Sequence, residues 1–340
     1  MDPICSLHRG DPCDFAGPAF PEGAQRRGFA TMTDRRSATF DELAPREVFQ
    51  AARVLSHLRR VQLAPSQLQR FLESPFKLGL VRVARALGVT CPVVVDLIWG
   101  DRFAGVFPEA VTSLVWRYGF HEQLTSMFIL DHLQQGQAFV DIGAHFGYFT
   151  ILSSRIVGPD GQVVAIEAMP RTIQLLRRNI ELNAITNVVT CEAAAFAEEQ
   201  HIQFLDFGPI YSSLNTHSTA RGWLQGKEHE GKPVTVLAKA ADQILAENGV
   251  RSVQMIKIDA ESSEEDVLLG LSGTLERDSP ITIVELGGSS DIEEESRVGR
   301  VFAFMRDRGY RGYQYDGQTL ELIVSHEGLP YLNVIFRRDQ

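Results

Sequence analysis

Residues 139–150 read Phe139-Val-Asp141-Ile-Gly143-Ala-His145-Phe-Gly147-Tyr-Phe-Thr150, and the fold class turns on them. The apolar run Ala138–Ile142 has the length of a strand buried on both faces, and Tyr148–Val157 continues as a helix. Between them Gly143 and Gly147 mark a tight strand-to-helix turn. Lacking a Cβ, glycine lets the backbone turn left-handed and pass close to a ligand. The helix that follows offers free N–H groups and a partial positive charge at its start.

Outward from this turn the chain alternates. Val163–Ile166 predicts a strand, and Pro170–Asn183 a helix whose first position tolerates proline because its N–H has no helical partner. Val188–Cys191, Ile202–Phe207 and Val234–Leu237 follow as strands, then a helix over Ala240–Asn248 with Gly249 where a C-terminal cap belongs. Ser252–Asp259 reads as a strand, Glu264–Leu271 as a helix and Ile281–Leu286 as a strand. A helix over Ile292–Arg308 aligns Val298, Val301, Phe302 and Met305, and Tyr310–Tyr315, Leu320–Val324 and Asn333–Phe336 close with strands. Near-continuous apolar strands alternating with amphipathic helices define an α/β protein with a mostly parallel, doubly covered sheet.

The N-terminal part reads differently. Residues 1–40 are rich in Gly, Pro, Arg and Asp without hydrophobic period, a disordered leader in which Met32 is an alternative start. Residues 41–118 predict a mainly helical extension or cap, with a short strand at Val93–Trp99, and a helix over Glu122–Leu133 opens the main domain of residues 119–340. Residues 32–90 carry ten basic and five acidic side chains, read as a solvated helix face rather than a nucleic-acid arm.

The whole chain, 340 residues and 37.8 kDa, is 44% apolar and 22% charged, which excludes a disordered or fibrous protein. Its net charge of −10 makes nucleic acid and membrane surfaces poor partners. The four cysteines form no CxxC pair, so neither a disulfide framework nor a zinc site is expected. The expected setting is cytoplasmic, with a small-molecule partner and a homodimer left open.

Glu167 ends the second strand, 26 residues after Asp141, where a carboxylate meets the two hydroxyls of a ribose. Such a carboxylate serves NAD or S-adenosylmethionine. The dinucleotide turn is G-x-G-x-x-G because a pyrophosphate must approach the helix closely. Here the turn is G-x-x-x-G with Ala144, His145 and Phe146 inside it, and Asp141 suits a cationic amine better than a pyrophosphate. The cofactor expected is S-adenosylmethionine, with S-adenosylhomocysteine as product.

Four blocks resemble the FkbM family of class I methyltransferases. Val140–Thr150 resembles "vDvGAnvGyfT", Ala165–Pro170 "aFEPnP", Asn179–Asn183 "Ni.lN", and Ile256–Glu264 "iKiDvEGaE". The resemblance runs from near Gly119-Phe-His-Glu122 to Asn333–Phe336, about two-thirds of the chain. His145 replaces an Asn, and Ser262-Ser263 replaces Gly-Ala. The resemblance implies a Rossmann-like sheet with an antiparallel C-terminal strand and methylation of small-molecule oxygens, often in secondary metabolites or sugars. The cofactor set is then Asp141, Gly143, Ala144, His145, Gly147, Glu167, Ala168, Met169, Glu192, Ala193 and Asp259.

Methyl transfer from a sulfonium is an in-line displacement, and an alcohol acceptor must also lose a proton. Asp259 and Glu261 end the fourth core strand, where open α/β sheets bind ligands, and share parity with Lys257. They read as base and substrate anchor, or as an ion pair with Lys257. His145 titrates near neutrality and is a second candidate base; Glu285 is a weaker one. The acid-rich stretch 258–297 reads as helix-start charge rather than a metal site, so no metal is expected. Residues Tyr211–Pro233 read as a substrate lid closed by the helices of residues 41–90. The function expected is O-methylation of a small-molecule hydroxyl, the alternatives being carboxylate O-methylation or a non-catalytic cofactor-binding scaffold.

Overall fold

The computed structural model describes residues 49–61, 75–217, 231–286, 292–327, 329 and 332–339. The leader assigned to residues 1–40 lies outside them, as do residues 218–230 of the expected lid.

In the order of the chain, α1 is Ala51–Arg60 and α2 is Pro75–Ala86; β1 (Cys91–Asp96) and β2 (Arg102–Phe107) form an antiparallel hairpin. α3 (Ala110–Tyr118) and α4 (Gln123–His132) lead into β3 (Ala138–Ile142), α5 (Tyr148–Val157), β4 (Gln162–Glu167), α6 (Pro170–Leu182) and β5 (Val188–Glu192). Next come β6 (Ala194–Phe196), β7 (Gln200–Asp206), β8 (Thr216–His217), β9 (Lys232–Ala240) and α7 (Ala241–Glu247). The chain ends with β10 (Met255–Ile258), α8 (Glu264–Leu269), α9 (Ser272–Asp278), β11 (Ile281–Leu286), α10 (Ile292–Asp307), β12 (Tyr310–Tyr315), β13 (Leu320–Leu322) and β14 (Leu332–Arg338).

The central sheet has the order β13-β12-β14-β11-β10-β3-β4-β5. The pairs β3–β4, β4–β5, β3–β10 and β10–β11 are parallel, and β14 enters antiparallel to β11. Strand parity makes two cores. Phe139, Val163, Met255, Ile283 and Ile335 face Leu58, Phe128, Ile151 and Leu152 from α1, α4 and α5. Val140, Ile142, Val164, Ile256, Val284 and Val334 face Ile244, Leu268, Leu275 and Val301 from α7, α8, α9 and α10. Burying each such side chain stabilises by roughly 1.5–3 kcal/mol, so a strand apolar on both faces has its hydrophobic drive only in the middle of the sheet.

Two parts differ from the sequence-based expectation. Residues 91–118 hold the expected strand as half of a hairpin, β2 being the unexpected partner, followed by a helix, and they are anchored to the sheet domain. Asn179 on α6 accepts from Ala104 N–H at 2.6 Å and donates to the carbonyls of Ala104 and Phe146 at 2.9 and 2.8 Å. Asn183 donates to Arg102 O at 2.7 Å, so the Asn179–Asn183 block is what holds β2 in place. Glu109, fully buried, caps α3 by accepting from Val111 and Thr112 N–H. The second difference is a separate four-stranded sheet, β6-β9-β7-β8, standing beside the end of β5.

Candidate functional site

A cavity opens at the C-terminal edge of β3, β4 and β10. Counting its open mouth, the empty space among the lining atoms is about 680 Å³. The βα turn brings Gly143 and His145 to it, the end of β4 brings Glu167, Ala168 and Met169, and β6 brings Ala194–Phe196. Ser212 and Asn215 close one side, and Asp259, Glu261 and Ser263 the other. The apolar wall of Ala168, Met169, Ala193 and Phe196 beside a carboxylate fits a nucleoside: base against the wall, ribose hydroxyls on Glu167.

Glu167 is held in place by its own neighbours. Its two oxygens accept the backbone N–H groups of Met169 at 2.8 Å and His145 at 2.9 Å. Burial pushes its carboxyl up to about 7, against the lowering effect of those two hydrogen bonds. Each oxygen retains a lone pair toward the cavity. The two glycines serve the protein more than the ligand. A Cβ on Gly143 would lie 1.9 Å from Asp259 O, and one on Gly147 2.3 Å from a Leu176 methyl, and both residues have positive φ. Gly143 thus lets the turn lie directly against the end of β10.

His145 has φ +50, a left-handed conformation in which Asn and His are enriched, so a His fits where the family pattern has Asn. Its ring stacks on Phe146 with centroids 3.8 Å apart, and Nε2 lies 2.9 Å from Ser212 Oγ. Burial lowers its pKa, leaving it neutral near pH 7. Its ring nitrogen is committed to Ser212, and the structure places it as a cavity wall.

Beside the cavity lies a charged cluster. Lys257 Nζ is 3.1 Å from Asp259 Oδ2 and 4.8 Å from the centre of the Phe149 ring. Burial alone would lower the Lys257 pKa, but Asp259, Glu122, Glu285 and Asp141 raise it far above the ordinary value, so it stays charged. It is therefore a fixed counter-charge and not a base. Glu122, at φ +38 before α4, meets His121 Nε2 at 3.1 Å and accepts from Asn333 Nδ2 at 2.8 Å. Burial opposes its ionisation, yet Lys257 and His121 hold it down to about 2. Burial, reinforced by Asp259 and Glu122, pushes Glu285 well above the carboxylate range, and it hydrogen-bonds Asp259. Among the described residues, carboxylate oxygens of Glu122, Asp259 and Glu285 converge within 4.8 Å of one another, with Lys257 supplying the positive charge.

Of the expected set, Gly143, His145, Glu167, Ala168, Met169, Ala193, Asp259 and Glu261 line the cavity. Asp141 is not among them: it is 1% exposed and accepts from Thr150 Oγ1 at 2.6 Å beneath the turn. Glu192 pairs with Arg177 at 3.1 Å on the surface and is not a lining residue. Ala144 and Gly147 are buried in or behind the turn, and Lys257 lies below Asp259. Among the described residues, none of 49–61 or 75–118 lines the cavity. Sequence reasoning missed His121, Glu122, Ser212 and Asn333. An acid directly before the apolar helix α4 was a signal for Glu122; Asn333 carried none.

Sheet order, antiparallel last strand, glycine turn and Glu167 together define a class I S-adenosylmethionine-dependent methyltransferase. The family model described as the methyltransferase FkbM domain matches residues 141–311, half of the chain, and the protein belongs to that family. Among curated relatives, 31-O-demethyl-FK506 methyltransferase FkbM of Streptomyces tacrolimicus is 24% identical over 216 residues, covering 56% of this chain and 80% of its own. A protein-L-isoaspartate O-methyltransferase of Caenorhabditis elegans is 24% identical over 132 residues, 39% of this chain and 52% of that one. The chain thus spans only about half of some of the relatives it matches. A solved methyltransferase FkbM from Methylobacillus flagellatus is 11% identical, with TM-score 0.37, covering 67% of this chain and 55% of that chain. No described helix is long and apolar enough to cross a membrane.

Proposed function

We propose that the protein transfers the methyl group of S-adenosylmethionine to a hydroxyl oxygen of a small molecule. The observation that carries this reading is the position of Asp259, which lines the cavity beside the cofactor turn and is tied to the buried Lys257. When bound, the cofactor supplies an electrophilic methyl on a positively charged sulfur. Glu167 orients the nucleoside end, and the Gly143–Asp259 contact holds the turn against β10. Asp259 accepts the hydrogen bond of the incoming hydroxyl and takes its proton as the C–O bond forms. That proton becomes strongly acidic as the oxygen is alkylated, so a carboxylate suffices as base. Lys257 orients Asp259, and Glu261 anchors the rest of the acceptor.

A carboxylate acceptor is the less favoured reading, because Glu122, Asp259 and Glu285 gather beside the cavity, offset by Lys257 and by His121 on Glu122. Two relatives support oxygen as the target by their names, one acting on 31-O-demethyl-FK506 and the other on L-isoaspartate in proteins.

The test is transfer of a labelled methyl group to a panel of neutral polyols, sugars and carboxylic acids. O-methyl ethers from the hydroxyl compounds are expected. Asp259→Asn should lower kcat by about 10²–10⁴-fold with S-adenosylhomocysteine affinity little changed. Methyl esters as sole products, or full activity in Asp259→Asn, would overturn the reading.

A further inference from the structure

The feature of the molecule that the methyl-transfer site does not use is the outer face of α2. Val81 and Ala84 seat this helix against Phe107, Val93 and Trp116. Lys77 Nζ donates to Trp116 O at 3.2 Å and Arg85 Nε to Pro108 O at 3.0 Å, so the orientation of the helix is fixed at both ends. The side turned to solvent is apolar: Phe76 is 91% exposed, Leu80 53%, Val83 55% and Leu87 70%. Their spacing of four, three and four residues gathers them into a stripe about 60° wide on the helix surface. Among the described residues nothing covers this stripe, and an exposed apolar stripe of this kind marks an interaction surface.

Charge selects the partner. Residues 49–61 and 75–95 carry six basic side chains (Arg53, Arg59, Arg60, Lys77, Arg82, Arg85) and no acidic one, in a chain of net charge −10; Arg59 is paired with Asp131 and Lys77 with the Trp116 carbonyl. The net charge of the whole chain hides this segregation, which is why the sequence argued against membranes. All the charged side chains of α2 itself are basic, while its exposed stripe carries aromatic and aliphatic groups. An apolar face with a wholly basic polar face is the pattern of a helix that lies in the headgroup region of an anionic bilayer. A two-fold contact with a second copy would set the basic face against its own image, and a nucleic acid offers nothing for Phe76 and Leu80 to bury against.

We propose that α2 docks the protein reversibly on an anionic lipid surface, with Phe76, Leu80, Val83 and Leu87 entering the interface and the exposed Arg82 and Arg85 meeting headgroups. The test is co-sedimentation of the full chain with phosphatidylcholine vesicles, with and without phosphatidylglycerol, at low and high salt. Binding to the anionic vesicles about tenfold stronger than to the neutral ones, weakening with salt, is expected. Leu80→Glu should lower that binding about tenfold, while its melting temperature and S-adenosylhomocysteine affinity stay those of the parent. Absence of vesicle binding overturns the proposal. So does vesicle binding that survives Leu80→Glu, or a solution dimer that Leu80→Glu dissociates, which would assign the stripe to a second copy.

Discussion

Glu167 shows how one buried carboxyl can set the pH response of a binding site. Raised to about 7 by burial, it holds a proton in the folded chain that the unfolded chain would have released. Its contribution to stability therefore falls as pH rises from the ordinary carboxylate range to about 7, and is level above. Ribose hydroxyls donate to the ionised form, so the cofactor must displace that proton. The affinity for S-adenosylhomocysteine should then drop as pH falls below about 7, by up to about tenfold per unit, with a proton released on binding. Calorimetry across this range in buffers of different ionisation enthalpy reads both effects, and Glu167→Gln should remove them; a flat profile for the parent would contradict the assignment. The turn after β10 offers a second test at this scale. Ser262 has φ +79 and stands where the family pattern has Gly; Glu264 accepts its N–H at 3.0 Å and holds it there. A left-handed conformation costs a non-glycine residue roughly 1–2 kcal/mol. Ser262→Gly should stabilise the protein by about 1 kcal/mol, part of the relief being lost to the freer unfolded chain. Urea unfolding measures it.

Among the elements, what was legible followed from packing on both sides. Ala138–Ile142, β4 and β11 are mostly apolar because they lie inside the sheet with both faces covered, and the helix at α10 announces one face through Val298, Val301 and Met305. The hairpin strand Arg102–Phe107 was hidden because Gly105 interrupts it; the Thr112 side chain occupies the place its Cβ would take, at 2.3 Å. β6 is only Ala194-Ala-Phe196, too short for a period to show. In the site, Glu167 and Gly143 could be found because each sits in a local strand-end pattern. Glu122 and Asn333 could not be paired, since 211 residues separate them and only the insertion of β14 beside β11 brings them together. The hairpin's attachment gives the prediction proper to this scale. Asn179→Ala would leave Ala104 N–H and two carbonyls without their partner in a buried place. A loss of about 3 kcal/mol is expected. Hydrogen exchange should rise first at Arg102–Phe107, and a uniform rise over the sheet would show that Asn179 is not the anchor.

For the molecule as a whole, the question is whether the N-terminal helix is a lid or a buttress. α1 places Val54 and Leu58 in the same core as Phe128, Phe139 and Ile151, and Gln123 of α4 donates to the carbonyls of Leu58 and Val61 at 2.5 and 2.8 Å. Leu58 is fully buried, and Arg59 bridges to Asp131, which also accepts from Tyr315. None of the described α1 residues lines the cavity, and these contacts bury the helix in the core, so α1 is expected to serve stability and not closure. A lid residue changes turnover or ligand affinity with little effect on stability; a buttress does the reverse. Leu58→Ala removes buried methyl groups from a closed core and should cost about 2–5 kcal/mol, the sum of lost transfer energy and the cavity left behind. Calorimetric melting should register that loss while the S-adenosylhomocysteine dissociation constant, taken well below the melting temperature, stays within about twofold. If instead the melting temperature holds and affinity or turnover collapses, α1 acts on the site, and its assignment as a buttress would have to be redrawn.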